Sequence, residues 1–360
     1  MTEFTSTWLQ FLARNGALLQ GEDGSGIVGF AAGDASDAAL TSFVAPLPDL
    51  GLIAATGEDA ASFLHTQLTN DVEHLGSGEA RLAGYCSPKG RLLATFLMWK
   101  TADAIMLQLP REIQPAVQKR LQMFVLRAKA KLNDVSDNRV ILGLVGHAAS
   151  AALPAWFPSM PAAPYAKIDS AAGTLIRVAD AFAAPRYLWI TDVETAQQVW
   201  PVLTKSLPPA GSHAWQRSEI HAGVPAVMQK TQEQFVPQMV NFDIIGGVNF
   251  KKGCYPGQEI VARTHYLGKV KRRMMLASVD AGDVKPGTEV FLSAEPDQPS
   301  GMVVNAAPNA HGGMDCLVEI KTAAVSEGTV HAGSPDGAVL RFGALPYSLP
   351  DAAQVESQIR

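Results

Sequence analysis

Apolar positions follow two different patterns in this chain, one before and one after about residue 270. In the earlier part, apolar runs of strand length are mixed with segments whose apolar residues recur at helical spacing. Strands are predicted at Leu52–Ala55, Arg91–Trp99, Ala104–Leu109, Val140–Val145, Thr174–Val178 and Arg186–Thr191. Helices are predicted over 58–69, 111–126 and 193–203. Because strand, helix, hairpin and helix recur twice, the pattern favours two α+β halves over a parallel doubly wound sheet.

Two local signals refine this prediction. Thr56 is followed three positions later by Asp59, which is a capping-box arrangement at the start of the first helix. Residues 1–45 are rich in alanine, glycine and aspartate in their second half, and we expect them to form a leading segment with some β character.

After residue 270 the apolar runs become short, and turn sequences such as Pro-Gly, Ser-Gly and Pro-Asp-Gly separate them. The strands predicted there are Arg273–Val279, Glu289–Ser293, Met302–Asn305, Cys316–Ile320 and Val339–Phe342. This spacing is typical of a small β-barrel or sandwich. We therefore predict a first α+β domain, a second α+β domain, a motif-bearing segment and a C-terminal β-barrel, over 1–135, 136–245, 246–270 and 271–360 respectively.

Bulk composition limits the class of protein. Apolar residues make up 47% of the 360 residues, as in an ordinary globular core. The formal net charge of -5 argues against a general nucleic-acid coat, and no apolar run approaches the ~20 residues that a membrane span needs. The N-terminal sequence contains Glu3 and lacks a basic region before a long apolar run, so it does not resemble a secretory signal. We expect a cytoplasmic protein without a membrane partner.

The chain has three widely spaced cysteines, Cys86, Cys254 and Cys316, and no Cys-x-x-Cys pair. This count and spacing predict neither a disulfide framework nor a metal site. An iron–sulfur cluster normally takes four thiolates, so we expect no cluster of the protein's own.

Cys254 lies in the most informative segment, 249–273, which reads NFKKGCYPGQEIVARTHYLGKVKRR. Lys251 and Lys252 favour the thiolate by adding positive potential, and Gly253 removes side-chain cover from the sulfur. Pro256-Gly257 suits a type II turn, after which Gln258–Ala262 could open a short helix. The local sequence leaves open both a reactive thiol and an incidental loop cysteine.

The octapeptide KGCYPGQE at Lys252–Glu259 resembles the signature of the YgfZ-type folate-binding proteins. These are relatives of the glycine-cleavage T-protein (aminomethyltransferase) that act in iron–sulfur cluster assembly or repair. Ala222–Pro225 resembles the family's AGIP segment, and Phe235–Gln238 with the asparagine three residues later resembles its FIPQ…N segment. Thr56–Val72 resembles the superfamily's first helix and the following turn, so the similarity covers roughly residues 45–275.

The resemblance implies a fold, a ligand and a reactive group. It implies two α+β domains and a C-terminal barrel around a central folate pocket, with tetrahydrofolate or a one-carbon derivative as ligand. It implies that Cys254 acts as a nucleophile or redox-active thiol. The folate-binding residues that it implies in the motif segment are Lys252, Tyr255, Gln258, Glu259 and Arg263. An amide and a carboxylate can read the adjacent donors and acceptors of a pterin ring, although surface polar groups on a loop and short helix are the alternative.

The sequence departs from the family at His221, where a glutamate is common. In the T-protein the corresponding glutamate belongs to the pterin pocket. Glu219 would share a face with His221 if this segment were extended, and it could then compensate. We include both residues among the folate-binding candidates, with a structural histidine as the alternative.

A second departure concerns the hairpin near Leu93. The T-protein carries an aspartate just after the glycine that opens this hairpin, but the run Lys89–Thr95 contains no acid. Aminomethyl transfer would therefore lack its usual electrostatic and proton-handling group. The YgfZ-type branch resembles this sequence in lacking that acid, so a classical aminomethyltransferase is not expected.

Two further sets of residues are candidates. Lys269, Lys271 and Arg273 would share one face of a strand and could bind an anion, such as a folate glutamate tail or an RNA phosphate. A solvated barrel edge is the alternative. Asn70 and Asp71, after the first helix, could contact a ligand or serve as ordinary turn residues.

Three functions follow from these observations. The first is a reduced-folate-binding accessory protein for iron–sulfur proteins, acting through Cys254, with cluster-client or assembly proteins as partners. The second is a folate-dependent aminomethyl or one-carbon transferase. The third is an RNA-binding or tRNA-modification factor, although the net charge does not favour nucleic acid as a direct partner. We expect a monomer.

Overall fold

The computed structural model describes residues 3–20, 26–31, 40–266 and 270–350. The described residues form two compact units. The first unit is drawn from Met1–Ala60, Leu75–Ala80 and Met98–Ala222, and the second from Ala61–His74, Arg81–Leu97 and Gly223–Arg360.

The helices of the described residues are α1 (Glu3–Arg14), α2 (Ala60–Gln67), α3 (Gln114–Gln122), α4 (His147–Ala152), α5 (Val193–Leu203), α6 (Ser212–His221), α7 (Gln258–Tyr266) and α8 (Ala324–Glu327). No helix in this part of the chain combines the length and apolarity needed to cross a membrane.

The strands before the motif segment are β1 (Ala17–Gln20), β2 (Gly26–Phe30), β3 (Phe43–Pro46), β4 (Leu50–Thr56), β5 (Ala80–Cys86), β6 (Leu92–Lys100), β7 (Ile105–Pro110), β8 (Lys131–Asp134), β9 (Val140–Val145), β10 (Lys167–Ser170), β11 (Gly173–Ala181) and β12 (Ala184–Thr191). Those after it are β13 (Arg272–Val279), β14 (Glu289–Leu292), β15 (Gly301–Pro308), β16 (Met314–Lys321), β17 (Val330–Ala332) and β18 (Ala338–Gly343).

Two five-stranded sheets and one barrel organise these strands. The sheets have the orders β10-β11-β12-β9-β3 and β5-β6-β7-β4-β8, and the barrel closes in the order β13-β16-β15-β14-β17-β18. Antiparallel neighbours throughout the first sheet confirm that the chain is not a parallel doubly wound protein. The α+β prediction with a C-terminal barrel is therefore confirmed, and the barrel is closed because β13 pairs with both β16 and β18.

The first unit packs its core around aromatic side chains. Trp189 and Phe157 are fully buried, with ring centroids 5.2 Å apart. Helix α1 contributes Trp8, whose ring lies edge-on to that of Trp200 at 6.0 Å, and Leu12, which is fully buried. The sequence prediction missed this helix, although β1, β2 and β3 confirm the β character of the segment that follows it.

Some predicted helices have the bounds that the structure shows, whereas others were predicted to be longer than they are. Helix α5 has the predicted bounds, and its N-cap Asp192 accepts a hydrogen bond from the backbone nitrogen of Thr195 at 2.7 Å. Helix α3 ends before Phe124, which the apolar pattern had included but which is 47% exposed.

The capping box predicted before α2 is wrong. Thr56 is the last residue of β4 and pairs with Lys131. The Asp59 carboxylate instead accepts a hydrogen bond from the backbone nitrogen of Lys129 at 2.7 Å. Asp59 thus has a tertiary partner that the local sequence did not indicate.

The barrel core is apolar and small. It is lined by Ala277, Val279, Val290, Leu292, Val303, Cys316, Val318, Ile320 and Leu340. These residues come from alternate positions of short strands, as the period-two pattern after residue 270 predicts.

Candidate functional site

The loop that carries Cys254 is anchored on both sides by buried residues. Lys252 is 9% exposed and Tyr255 is 7% exposed, whereas Cys254 between them is exposed and carries a free thiol. The backbone nitrogen of Gln258 donates to the carbonyl of Tyr255 at 3.2 Å, and Gly257 has a φ of 80°. These features confirm the type II turn at Pro256-Gly257, and α7 begins at Gln258 as predicted.

This turn packs closely against the loop that follows β5. A Cβ atom at Gly257 would lie 2.4 Å from the carbonyl oxygen of Ser87. A Cβ atom at Gly90 would lie 2.9 Å from the Cβ of Ile260 in α7. Both positions also have positive φ, so glycine is required for backbone conformation and for space. The run Lys89–Thr95, which lacks the T-protein acid, therefore lies beside the thiol-bearing loop.

Lys252 connects the Cys254 loop to the end of α2. Its ammonium donates to the carbonyl of His65 and, at 2.9 Å, to the carbonyl of Leu68. It also lies 4.9 Å from the ring centre of Tyr255. Cations at a helix C-terminus satisfy its last carbonyls and oppose its partial negative charge. Lys252 thus has a structural role, and its contact with folate stays a prediction.

The electrostatic surroundings of Lys252 include the candidate thiol. Burial lowers the pKa of Lys252 to about 8, while Asp71, a Cys254 thiolate and Glu73 act in the opposite direction. Burial also raises the pKa of the Tyr255 phenol, so this side chain stays neutral.

Asn70 is buried and makes three hydrogen bonds. Its amide nitrogen donates to the carbonyls of Leu82 at 2.7 Å and Gly246 at 2.8 Å. Its carbonyl oxygen accepts from the backbone nitrogen of Asp71 at 2.8 Å. These bonds hold the segment after α2 against β5 and the 241–249 region. The predicted ligand contact of Asn70 stays a prediction.

Asp71 lies between two histidines. Its Oδ2 is 2.8 Å from Nδ1 of His74, and its Oδ1 accepts from the backbone nitrogen of His74 at 3.1 Å. Its Oδ1 also lies 3.1 Å from Nδ1 of His65. Partial burial acts to raise the pKa of Asp71, but the His74 hydrogen bonds and the charges of both histidines outweigh it and lower that pKa. Asp71 is therefore a carboxylate that is hydrogen-bonded to His74 and lies close to His65.

The three candidates on α7 lie in its first two turns. Gln258 opens the helix, and Glu259 and Arg263 are exposed. Glu259 and Arg263 are four residues apart and so lie on one helix face. A carboxylate in the first turn is also favoured by the helix dipole. Their folate contacts stay predictions.

Glu219 and His221 belong to the other unit, in helix α6. A helix places residues two apart about 200° apart around its axis, so the shared face expected for an extended segment is wrong. Glu219 accepts from the buried Arg186 guanidinium at 3.1 Å, and the ring of His221 packs 4.8 Å from that of Phe182. Both side chains therefore have structural partners, and pterin binding by either stays a prediction.

The cationic candidates are partly committed to internal ion pairs. Lys269 lies outside the described residues, and Lys271 is exposed. Arg273 is buried and pairs with Asp243 at 2.7 and 3.1 Å, while also donating to the carbonyl of Gln238 at 2.9 Å. An anion at Arg273 would have to displace that carboxylate. Anion binding by this set stays a prediction.

The three cysteines differ sharply in exposure. Cys86 and Cys316 are buried, and burial raises the pKa of each thiol to about 12. This confirms that both are packing residues, and leaves Cys254 as the thiol that solvent can reach. No group of three or more His, Cys, Asp or Glu within the described ranges could hold a metal ion.

Sequence reasoning missed His65, Glu73 and His74 near the loop. His65 lies in the last turn of α2, and only the apolar positions of that helix had been considered. The carboxylate of Glu73 lies 3.9 Å from Nδ1 of His65. No local pattern links these residues to Cys254, which is almost 190 positions further along the chain.

Comparisons with known proteins support the fold. The chain is similar to the crystal structure of glycine cleavage system aminomethyltransferase T from Bartonella henselae, with a TM-score of 0.76 and 16% sequence identity over 94% of this chain and 96% of that one. It also matches part of the heterotetrameric sarcosine oxidase from Corynebacterium sp. U-96 at 15% identity, covering 45% of this chain and 82% of that one. That second TM-score, 0.34, is too low to carry an argument. No protein-family model matches the sequence. The chain thus has the fold of the glycine-cleavage T-protein.

Proposed function

We propose that this protein binds reduced folate and supports the assembly or repair of iron–sulfur proteins through the thiol of Cys254, as the YgfZ-type proteins do. The observation that carries the proposal is the exposed thiol of Cys254, held on an anchored turn within KGCYPGQE in a chain with the T-protein fold. Thiols next to cations are the ones that react, because the thiolate is the nucleophile. Lys252 supplies such a cation.

Folate binding rests on a different argument. The fold is shared with an aminomethyltransferase, and the motif segments resemble those of folate-binding relatives. We propose tetrahydrofolate or a one-carbon derivative as the ligand. Calorimetric titration of the reduced protein with tetrahydrofolate tests this directly, and the absence of binding at millimolar ligand would remove the folate part alone.

Aminomethyl transfer is the second candidate, because the fold favours it. The run Lys89–Thr95 lacks the acid that such transfer uses, and the structure brings this run beside Gly257 and α7. The backbone nitrogen of Glu233 donates to the carbonyl of Leu92, and the side chain of Glu233 is exposed. We expect no robust turnover with tetrahydrofolate and a lipoylated carrier protein, and a high rate would reverse this ranking.

Complementation tests the proposed function. The chromosomal copy is deleted and wild type or Cys254→Ser is restored at equal abundance, and the activity of an iron–sulfur enzyme is measured under oxidative stress. We expect wild type to restore activity and Cys254→Ser to fail. Lys119→Met is the control, because it changes an exposed lysine on α3 and keeps the thiol and its neighbours.

The outcomes separate the parts of the proposal. Equal rescue by wild type and Cys254→Ser would remove the thiol from the mechanism. Failure of wild type to rescue would remove the iron–sulfur assignment and favour the transferase.

A further inference from the structure

Three apolar side chains are exposed together in the turn that follows α3. Met123 is 61% exposed, Phe124 is 47% exposed and Leu126 is 86% exposed, and we call these three residues the apolar turn. Val125 is buried between them and fixes the turn to the core. A single exposed apolar side chain is ordinary, whereas several exposed apolar side chains in one place indicate an interaction site.

Backbone hydrogen bonds hold the apolar turn in a defined conformation. The backbone nitrogen of Phe124 donates to the carbonyl of Leu121 at 3.0 Å. The backbone nitrogen of Ala128 donates to the carbonyl of Val125 at 2.8 Å. Leu126 has a φ of 46°, in the left-handed region that is unfavourable for leucine. The turn therefore keeps Leu126 in solvent despite two costs, one from its backbone conformation and one from its apolar surface.

The chain around the apolar turn is basic. Residues 120–133 contain no acidic residue, and their four cations are Arg120, Arg127, Lys129 and Lys131. Lys129 pairs with Glu58 at 2.8 Å. The other three cations pair with no carboxylate in the described part of the chain. Because the whole chain has 34 acidic and 29 basic residues, this excess of positive charge is local.

Cations lie on both sides of the apolar turn. Arg120 is in the last turn of α3, and Lys131 is the first residue of β8. The side-chain amide of Gln118 in α3 donates to the carbonyl of Leu132 in β8 at 3.1 Å, so the two elements are neighbours. The apolar turn lies in the connection between them, and positive charge therefore flanks it in space as well as in sequence.

We propose that the apolar turn and its cations form a contact site for a membrane surface that contains anionic lipids. The three apolar side chains enter the boundary between lipid headgroups and acyl chains, and the cations bind the phosphate and carboxylate groups of the lipids. Lysine and arginine suit this boundary, because their apolar stems can stay in it while their charges reach the headgroups. The sequence predicted no membrane partner from the length of its apolar runs, but a surface contact needs no run that spans the bilayer.

The shape and charge of the turn favour a lipid surface over a protein partner. Gln122 and Arg127, on either side of the apolar turn, are exposed as well. The turn therefore projects from its surroundings and is not a groove that could hold a peptide. Lipid headgroups rearrange around a projecting side chain, whereas a protein partner would have to supply a matching pocket. An anionic surface also selects this orientation, because it repels the acidic excess elsewhere in the chain.

The test is co-sedimentation of the full-length protein with vesicles at about 0.1 M salt. Vesicles of phosphatidylcholine with about 30% phosphatidylserine are compared with vesicles of phosphatidylcholine alone. We expect the partition coefficient to be about tenfold or more higher on the anionic vesicles, and about 0.5 M salt to remove most of that difference by screening. Equal partitioning onto both kinds of vesicle, or none onto either, would overturn the proposal.

Two double variants separate the apolar and the electrostatic parts of the contact. Met123→Gln/Leu126→Asn removes apolar surface, and asparagine tolerates the left-handed backbone of residue 126. Arg127→Gln/Lys131→Gln removes two exposed cations and leaves the apolar turn intact. We expect each double variant to lower the partition coefficient on anionic vesicles by about tenfold, and the second also to weaken its salt dependence.

Val202→Gln is the matched control for the loss of apolar surface. Val202 lies on α5 and is 49% exposed, so its replacement removes similar surface away from the turn, and this variant should partition like wild type. Unchanged partitioning of both double variants, with circular dichroism spectra like that of wild type, would contradict the proposal. Lost complementation by Met123→Gln/Leu126→Asn without vesicle binding by wild type would also overturn it, and would indicate a protein partner at the turn.

Discussion

At the scale of single residues, Lys252 shows how a buried charge can anchor a loop. A buried ammonium is costly unless it is hydrogen-bonded, and two carbonyls at the end of α2 supply those bonds. A negative charge at Cys254, two residues later, would act to raise the pKa of Lys252. In three consecutive positions, Lys252 therefore anchors the loop, Gly253 has no side chain, and Cys254 carries the exposed sulfur.

Replacing Lys252 with methionine keeps the stem volume but removes the donor. We expect Lys252→Met to lower the free energy of unfolding by about 1–3 kcal/mol, because it leaves carbonyls at the end of α2 without their charged donor. Urea unfolding followed by circular dichroism measures this. Lys251→Met, at the exposed neighbour, should change the stability little, and equal effects of the two variants would contradict the anchoring role.

The lowered pKa of Asp71 predicts a pH dependence of stability. Because the folded pKa lies below the ordinary value of about 4, the unfolded chain binds more protons in acid. The Asp71 contribution to stability is therefore fully present above about pH 4 and is lost as the pH falls through the folded pKa.

The measurement compares unfolding free energies of wild type and Asp71→Asn from pH 2.5 to 5.5. The difference should be largest at pH 5.5 and shrink towards pH 2.5. Asp103→Asn, on an exposed hairpin turn, is the control and should show no such trend. A constant difference for Asp71→Asn would mean that its charge has no folded-state partner.

At the scale of elements, the turn before α7 is fixed by close backbone approach. Gly257 and Gly90 bring the thiol-bearing loop and the loop after β5 within contact distance. Gln238 strengthens this packing, because its amide donates to the carbonyl of Val261 in α7 at 2.7 Å. Cys254 is therefore presented by a loop whose supports come from three parts of the second unit.

Gly257→Ala and Gly246→Ala separate steric clash from backbone strain. Both glycines have φ near 80°, but a Cβ at Gly257 meets Ser87 at 2.4 Å, whereas one at Gly246 meets nothing within 4 Å. We expect Gly246→Ala to cost about 1–2 kcal/mol from left-handed conformation alone, and Gly257→Ala to cost clearly more. Thermal unfolding of both variants measures this, and equal destabilisation would show that the turn can shift freely.

At the scale of the whole molecule, folding divides the thiols into two classes. Cys86 ends a buried strand and Cys316 lies in the barrel core, while Cys254 is exposed on its loop. Burial removes two thiols from solvent and raises the pKa of each to about 12, which further suppresses their thiolates.

This division predicts the stoichiometry of thiol labelling. We expect one of the three cysteines to react with a chromogenic disulfide reagent in the native protein and all three to react in denaturant. Cys254→Ser should abolish the native signal, and Cys316→Ala should keep it. Rapid reaction of a second native thiol would show that Cys86 or Cys316 becomes exposed by local opening.

Local sequence patterns were enough to predict the fold class and several of the elements. The period of apolar residues gave the α+β class, the bounds of α5 and the short strands of the barrel, because each period follows from backbone geometry. The Pro-Gly turn was predictable because Gly257 must adopt a positive φ there. The motif around Cys254 likewise identified the exposed thiol.

Contacts between distant residues depend on how the chain folds and could not be predicted from local patterns. His65 and Asp71 reach the Cys254 loop from a helix end nearly 190 positions earlier, and no local spacing encodes that contact. Asp59 and Arg273 were assigned from local sequence to a helix cap and an anion site. In the structure Asp59 accepts from Lys129 and Arg273 pairs with Asp243, because hydrogen bonding and charge neutralisation are satisfied by whichever groups folding brings close.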